Sequence, residues 1–238
     1  MLLIKSINKI INIWKIIMHS EIINYLHIKN EIKTNFLDQK SQSELPNIIV
    51  VTKTHKENRI LPLINNGHIH FGENKVQEAI EKWTLIKSQN QNLKLHMIGK
   101  LQSNKVKHAL NLFDYIHTLD NLKLADKINK EQAKLKIKPK IFIQVNIGKE
   151  EQKNGVFPEQ LKDFYEDCIK NFHLQIIGLM CIPPISEKTD FFFKKMSELN
   201  KSLNFKELSL GMSNDYLEAV KYGSTYVRIG SKIFGSRN

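Results

Sequence analysis

The sequence predicts a single closed barrel of the α/β class, a (β/α)8 barrel. Eight short apolar segments alternate with helical stretches, and this alternation indicates parallel strands joined by helical crossovers. They follow one another within about 190 residues of the 238-residue chain, a length that suits a closed barrel better than an open doubly wound sheet. No linker rich in glycine, proline or serine divides the chain, so no second domain is expected.

The barrel is expected to follow an additional helix. Apolar residues recur at helical spacing from Glu21 to Asp38, which predicts a helix that packs on the outside of the fold. A polar link then leads to Pro46 and to a first strand, Ile48–Thr52, in which every residue but the threonine is apolar and β-branched. Such a run is typical of a parallel strand that helices cover on both faces.

The remaining units repeat this rhythm of strand and helix. A helix is predicted over Glu57–Asn66, and it ends at Gly67 because glycine is a common residue just beyond a helix. Seven further strands are predicted at His68–Phe71, Lys94–Ile98, Tyr115–Thr118, Lys140–Val145, Leu174–Leu179, Glu207–Ser209 and Thr225–Arg228.

The first seventeen residues are treated as an uncertain extension, and the barrel domain is assigned to residues 18–238. Residues 1–17 are apolar with interspersed lysines, without the cleavage site of a signal peptide, and too short and charged to cross a bilayer. Met18 is an equally acceptable start of translation. No membrane association is therefore expected.

The net charge of +12, from 36 basic and 24 acidic side chains, raises the question of a polyanionic partner. The lysines are dispersed along the helices and are not clustered in one basic segment. A nucleic-acid-binding protein therefore remains an alternative, but no specific nucleic-acid partner is expected.

Cysteine and histidine usage argues against disulfides and metals. Cys168 and Cys181 are too few for a disulfide framework and lack metal-ligand spacing, which favours a reducing, cytoplasmic location. His68 and His70 alternate on one predicted strand with no third ligand at suitable spacing, so both are expected to be structural and no metal site is predicted.

Lys53 directly follows the first strand. A lysine at the carboxyl end of a buried strand lies where desolvation disfavours the ammonium form, so its pKa is expected to fall and its amine to become a nucleophile. The chemistry expected of such an amine is Schiff base formation. A lysine that merely marks the exposed end of a strand is the alternative.

Polar residues follow most of the predicted strands, and in a barrel they meet at the carboxyl-terminal mouth. Gly211–Asn214 precedes a helical segment, Asp215–Lys221, and Gly230–Ser231 follows the eighth strand. Backbone N–H groups at both places, with the Ser213 hydroxyl, can bind an anion. Turn formation and helix capping are the alternative roles for such residues. Together the two loops predict a phosphorylated ligand.

Arg228 ends the eighth strand, two positions before Gly230. As a structural residue it would pair with a carboxylate, and as a ligand contact it would be a permanent cation beside the phosphate and near Lys53. The sequence contains no G-x-S-x-G or Walker-type loop and no evident nucleophilic triad that would compete with this site.

The sequence resembles the pyridoxal 5′-phosphate homeostasis proteins in five blocks. These blocks are Val50–Thr54, Phe71–Glu78, His96–Lys105, Leu210–Asp215 and Gly223–Gly235. They follow one another in order, and the resemblance runs from about Pro46 to Arg237 without large gaps.

The resemblance implies a barrel similar to the amino-terminal domain of alanine racemase, a fold-type III barrel that binds pyridoxal 5′-phosphate (PLP). It implies a Schiff base between PLP and Lys53, and it gives six further positions their roles. The implied phosphate contacts are Ser213, Gly230 and Ser231, the contact to the pyridine nitrogen is Arg228, and Asn74 and Met212 line the ring.

The resemblance also implies a PLP carrier that is not an enzyme and that supplies the cofactor to other, PLP-dependent enzymes. A racemase-like PLP enzyme is the alternative. Racemisation needs a second acid/base group, which alanine racemase takes from an additional β domain. The chain ends ten residues after Arg228, so that domain is not expected here. The small size and the complete barrel favour a monomer.

Overall fold

The computed structural model describes residues 19–37, 44–184 and 189–235. Eight parallel strands hydrogen-bond in sequence order, and the eighth pairs with the first, so the barrel is closed. The strands are β1 (Asn47–Val51), β2 (His70–Glu73), β3 (Lys94–Met97), β4 (Tyr115–Leu119), β5 (Lys140–Val145), β6 (Gln175–Cys181), β7 (Glu207–Met212) and β8 (Tyr226–Ile229). The predicted fold class is confirmed.

Helices follow the strands and form an outer layer. The α-helices are α1 (Ser20–Leu37), α2 (Glu57–Asn65), α3 (Val76–Gln89), α4 (Val106–Leu110), α5 (Leu122–Leu135), α6 (Leu161–Asn171), α7 (Thr189–Ser202), α8 (Tyr216–Lys221) and α9 (Ser231–Phe234). Short 3-10 turns precede α4 and α6, at Ser103–Lys105 and Pro158–Gln160. The predicted helices that lead into and follow the first strand are both present, and Gly67 ends α2 with a φ of 83°. Asp38, the predicted end of α1, lies outside the described residues.

The predicted bounds of the second, sixth and seventh strands are wrong by two or three residues, and the sixth strand ends at Cys181 instead of Leu179. The second strand begins at His70 and not at His68, because the His68 N–H still donates to the carbonyl of Leu63 in the last turn of α2. The seventh strand continues to Met212, three residues beyond its predicted end. A positive φ at Gly211 lets the chain bend there, and a Cβ atom at that position would lie 2.6 Å from the Cβ of Ala219.

The apolar core has two parts. The larger part lies between the outer faces of the strands and the helices, as expected when crossover helices cover a parallel sheet. A smaller cluster fills the barrel itself with the side chains of Ile49, Tyr115, Phe142, Met180 and Tyr226.

Helix α1 contacts α9, the short helix that follows β8. The Asn24 side-chain amide donates to the Ile233 carbonyl at 2.9 Å, and the Tyr216 hydroxyl donates to Glu31 at 2.5 Å. Arg59 bridges Glu21 of α1 and the carbonyl of Phe234. The additional helix therefore stabilises the segment that follows β8. Within the described part of the chain, no helix has the length and apolar character needed to cross a membrane.

Candidate functional site

A cavity of about 610 Å³ opens at the carboxyl ends of the strands, where barrels of this kind place their sites. All seven residues predicted as cofactor contacts line it: Lys53, Asn74, Met212, Ser213, Arg228, Gly230 and Ser231. The structure thus brings together residues that are up to 178 positions apart in the sequence. Their individual contacts to a ligand stay predictions.

Lys53 lies just beyond β1, and the backbone on both sides of it is held from outside the barrel. Lys82 of α3 donates to the Thr52 carbonyl at 2.8 Å. The Thr54 N–H donates to Glu78 Oε1 at 2.5 Å. Thr54 has a φ of 68°, a left-handed conformation that is uncommon for a residue with a Cβ. These contacts hold the turn that carries Lys53 in one conformation.

Lys82 is the centre of a charged triad, which we define as Glu73, Lys82 and Glu78. Its ammonium group lies 2.9 Å from an oxygen of each carboxylate. Glu73 is fully buried, and its Oε1 also accepts hydrogen bonds from the Thr52 hydroxyl and the Trp83 indole N–H. Partial burial raises the pKa of Glu78, but hydrogen bonds from Thr54 and Lys82 outweigh this effect and lower it. The Glu78 carboxylate is therefore ionised at neutral pH.

Arg228 lies on the opposite side of the cavity and is 4% exposed. Its Nη1 donates to the carbonyl and to the hydroxyl of Ser209 at 2.8 and 2.7 Å, and its Nη2 donates to the Cys181 carbonyl at 2.8 Å. Among the described residues, no carboxylate oxygen lies within 4.0 Å of this guanidinium. Burial lowers the pKa of Arg228, although a guanidinium stays charged at neutral pH. A buried cation held by neutral oxygen atoms is available to a ligand.

The loops after β7 and β8 meet at Ser213. Its hydroxyl oxygen accepts hydrogen bonds from the N–H groups of Gly230, at 3.3 Å, and Lys232, at 3.4 Å. A Cβ atom at Gly230 would lie 3.3 Å from Val51, so the backbone comes close to β1 there. The Met212 N–H donates to Asp215 Oδ1 at 2.6 Å, so this predicted anion donor is not available, whereas the hydrogen bond of the Gly230 N–H to Ser213 is long enough for an anion to replace it. Ser213, Gly230 and Ser231 are left as the candidate anion site.

Several residues that line the cavity are missed by reasoning from the sequence alone. Ile182, Pro183 and Pro184 come from the loop after β6, and Thr189 begins the next helix. His55, which the sequence already places two residues after Lys53 as a candidate to tune its amine, lines the cavity as well, and its ring stacks on Phe234 with the centroids 4.2 Å apart. The paired prolines were the available signal, because a proline pair after a strand marks a rigid loop.

His68 and His70 do not lie at the cavity. The ring of His68 is within hydrogen-bond distance of the Tyr25 hydroxyl and the His70 carbonyl, which agrees with the structural role expected for it. His70 points into the barrel, where its ring approaches His96. Within the described ranges, no group of three or more histidine, cysteine, aspartate or glutamate side chains is arranged to hold a metal ion.

Comparison with known proteins shows both the family and the fold. The family described as "Alanine racemase, N-terminal domain" matches residues 29–238. The pyridoxal phosphate homeostasis protein of Haemophilus influenzae is 37% identical over 221 residues, which cover 89% of this chain and 93% of that protein. The protein of the same name from Aquifex aeolicus is 38% identical over 199 residues, covering 80% of this chain and 86% of that one.

Among solved structures, PipY of Synechococcus elongatus with PLP bound superimposes with a TM-score of 0.74. It is 32% identical in sequence, and the match covers 86% of this chain and all of PipY. The similarity therefore extends over nearly the whole barrel.

Proposed function

We propose that this chain, which belongs to the family of pyridoxal phosphate homeostasis proteins, binds PLP in the cavity and holds it for other enzymes. The observation that carries the proposal is that Lys53, the Ser213 loop and a buried Arg228 line one cavity, and that among the described residues no carboxylate oxygen lies within 4.0 Å of the Arg228 guanidinium. Relatives with this name and the PLP-bound structure of PipY support it.

The residues present fit the three functional groups of PLP. Ser213 and the backbone of Gly230 and Ser231 would bind the phosphate. Three of the five N–H donors of Arg228 point at protein oxygens, which leaves donors for the ring nitrogen. When bound, PLP supplies an aldehyde that primary amines attack reversibly, and Lys53 is the amine on the cavity wall.

We further propose that the protein is not an enzyme in its own right. A permanent cation that donates a hydrogen bond to the ring nitrogen opposes protonation of that nitrogen. An unprotonated ring withdraws electrons poorly, so Arg228 favours storage of the cofactor over the stabilisation of a carbanion. The described titratable residues on the cavity wall other than Lys53 and Arg228 are His55 and Asp215, and Asp215 accepts a hydrogen bond from the Met212 N–H.

The location and assembly proposed for the protein follow from its thiols and its sheet. Both cysteines, Cys168 and Cys181, are buried free thiols, which is the state expected in the cytoplasm. The closed barrel leaves no strand edge for pairing with another sheet, which favours a monomer. Acceptors of the cofactor would be PLP-dependent apo-enzymes.

The test of binding is covalent trapping of the cofactor. The protein incubated with PLP is expected to absorb visible light, and borohydride reduction followed by peptide mass analysis is expected to place the cofactor on Lys53. Lys53→Ala should abolish the visible band. Lys56→Ala is the matched control, because Lys56 is exposed three residues away and should leave the band unchanged. Label on another lysine, or a full band in Lys53→Ala, would refute the assignment.

The test of the non-enzymatic role is exchange of substrate hydrogen. A racemase-like enzyme exchanges the α-hydrogen of its amino acid for deuterium in heavy water. We expect exchange far below the turnover of about 1 to 1000 per second that is usual for enzymes. Exchange within that range would establish the enzyme alternative.

A further inference from the structure

Three histidines form a hydrogen-bonded column inside the barrel, between Arg228 and the amino-terminal ends of the strands. The column consists of His117, His96 and His70, each on a neighbouring strand. Its rings approach one another at 2.9 Å, from His117 Nε2 to His96 Nδ1 and from His96 Nε2 to His70 Nδ1. The Ser209 hydroxyl joins it to the arginine, 3.0 Å from His117 Nδ1 and 2.7 Å from Arg228 Nη1.

The direction of these hydrogen bonds is set by Arg228. A guanidinium can only donate, so the Ser209 oxygen accepts from Arg228. Ser209 is fully buried, and among the described residues His117 Nδ1 is the one acceptor within reach of its hydroxyl, so the hydroxyl hydrogen is directed there. His117 must then carry its proton on Nε2 and donate to His96. The same argument repeats at His96 and His70, so all three rings are expected as the Nε2–H tautomer.

The rings are held in this arrangement by stacking and by burial. His117 stacks on Phe142 with centroids 4.3 Å apart, and His96 stacks on Tyr115 at 4.1 Å. Burial lowers the pKa of His96 and of His117 well below the usual value, and the neighbouring charge of Arg228 lowers that of His117 further. Neutral rings in fixed orientations give the column one donor and one acceptor at every step.

We propose that the histidine column positions Arg228 through Ser209, so that the guanidinium keeps one orientation toward the ring nitrogen of the cofactor. This inference rests on the proposed function. A His117 that donated to the Ser209 oxygen would leave the buried hydroxyl hydrogen without an acceptor among the described residues, and the fixed polarity of the column avoids this cost. The column residues are positioning residues, because they act through Ser209 and do not line the cavity.

The polarity of the column is tested first, in cofactor-free wild-type protein labelled with ¹⁵N. Nitrogen chemical shifts should show three neutral rings protonated on Nε2. Couplings across the N–H···N bonds should link His117 to His96 and His96 to His70. A ring protonated on Nδ1, or an imidazolium at neutral pH, would overturn the proposed direction of the column. This measurement needs neither PLP nor a variant.

The effect on the site is tested with Ser209→Ala and PLP labelled with ¹⁵N at its ring nitrogen. We expect a change in the ring-nitrogen shift and affinity roughly tenfold weaker, the loss expected for one charge-assisted hydrogen bond. Ser209→Thr keeps the hydroxyl and should restore both values. Tyr226→Phe is the matched control, since it removes a buried hydroxyl from the same interior, 3.5 Å from Tyr115 and outside the column.

A second variant changes His117, the histidine that is hydrogen-bonded to Ser209. His117→Phe keeps an aromatic ring on Phe142 and removes the acceptor for the Ser209 hydroxyl, so it should shift the ring-nitrogen signal in the same direction as Ser209→Ala. If the His117→Phe variant does not fold, the comparison of Ser209→Ala with Ser209→Thr is sufficient to test the inference. If Ser209→Ala leaves the ring-nitrogen shift and the affinity for PLP unchanged, the inference about the column is wrong, but the proposed function is not affected. Failure of the wild-type protein to bind PLP overturns the proposed function as well.

Discussion

Lys53 and Arg228 face the same cavity, but groups of opposite character hold them in place. The charged triad of Glu73, Lys82 and Glu78 lies outside the barrel and binds the backbone on both sides of Lys53. Arg228 is held inside the barrel by two carbonyl groups and a serine hydroxyl backed by the neutral histidine column.

The contacts around Lys53 are charged and those around Arg228 are neutral, and each kind suits the residue that it holds in place. A carboxylate beside Arg228 would compensate the charge that the ring nitrogen of the cofactor is proposed to meet, so neutral acceptors preserve that charge. The contacts of the triad to Thr52 and Thr54 are made to backbone groups, so the triad fixes the turn that carries Lys53. The two supports should therefore fail under different conditions.

Mild acid should produce the largest effect, through His70 of the histidine column and through His68, which lies outside the column. Burial lowers the pKa of both His68 and His70 to about 4. The positive charges of Lys29 near His68, and of Lys94 and Lys140 near His70, lower it further, whereas the carboxylate of Asp114 partly opposes the shift of His70. The unfolded chain binds these protons near pH 6.5 and the folded chain does not. Stability is therefore expected to fall as the pH falls from about 6.5 to 4, by several kcal/mol in total.

Urea unfolding at pH 7, 6, 5 and 4.5 measures this dependence. His68→Gln should make it shallower, because the variant has one titrating ring fewer in that window. The pKa of Glu78 lies below its usual value of 4.5, so this carboxylate of the triad should keep its charge over the same range. A free energy of unfolding that does not change between pH 7 and 4.5 would contradict the buried, neutral state of the rings.

Loss of the triad's cation should be the most harmful single substitution. Lys82→Met leaves the carboxylate of Glu73 fully buried without its ion-pair partner, and breaking a buried pair in this way costs about 3 to 5 kcal/mol. The free energy of unfolding in urea measures the cost. Lys130→Met breaks an exposed pair with Asp126 and should cost less than about 1 kcal/mol. Equal losses in the two variants would show that the triad has no special role.

Replacement of Arg228 should affect stability less than replacement of Lys82. Arg228→Met loses hydrogen bonds to three neutral acceptors, but it also removes a buried cation, and these effects oppose each other. We expect the free energy of unfolding to change by no more than about 2 kcal/mol. PLP affinity, measured by titration of the visible band, should fall much more than stability. A variant that binds PLP normally would remove Arg228 from the site.

The smallest effect is expected from a neutral replacement at the edge of the triad. Glu78→Gln keeps an oxygen that accepts from the Thr54 N–H but loses its negative charge beside Lys82, so a loss of about 1 kcal/mol is expected. Borohydride trapping on Lys53 should become slower, because the turn is held less firmly. Glu81→Gln is the control, since Glu81 is exposed and accepts a hydrogen bond from Gln77.

Much of the fold could be predicted from the sequence, because local pattern decides it. β-branched runs such as Ile48–Val51 and the glycine at the end of α2 are local signals, and the structure agrees with them. The end of β7 was misplaced because Gly211 and Met212 resemble a turn. Packing of Gly211 against α8 keeps these residues in the strand.

The candidate site was predicted in part. Each cofactor contact proposed from the sequence lies on a motif that also resembles a known family, and all seven line the cavity. The supports behind them were not predicted. His96 and His117 stand in different strands, and nothing local to either residue indicates that the two rings meet. Lys82 resembles any other lysine on an amphipathic helix until its contact with Glu73 is seen.

Local patterns along the chain are enough to predict the alternation of strands and helices and the polar residues at the strand ends, since both depend on neighbouring residues. The surroundings of Lys53 and Arg228 depend instead on contacts between segments that are distant in the chain. Closure of the barrel places β8 beside β1 and brings rings from β2, β3 and β4 into one column. Desolvation in that interior keeps the rings neutral, and desolvation depends on burial, which no short stretch of sequence specifies.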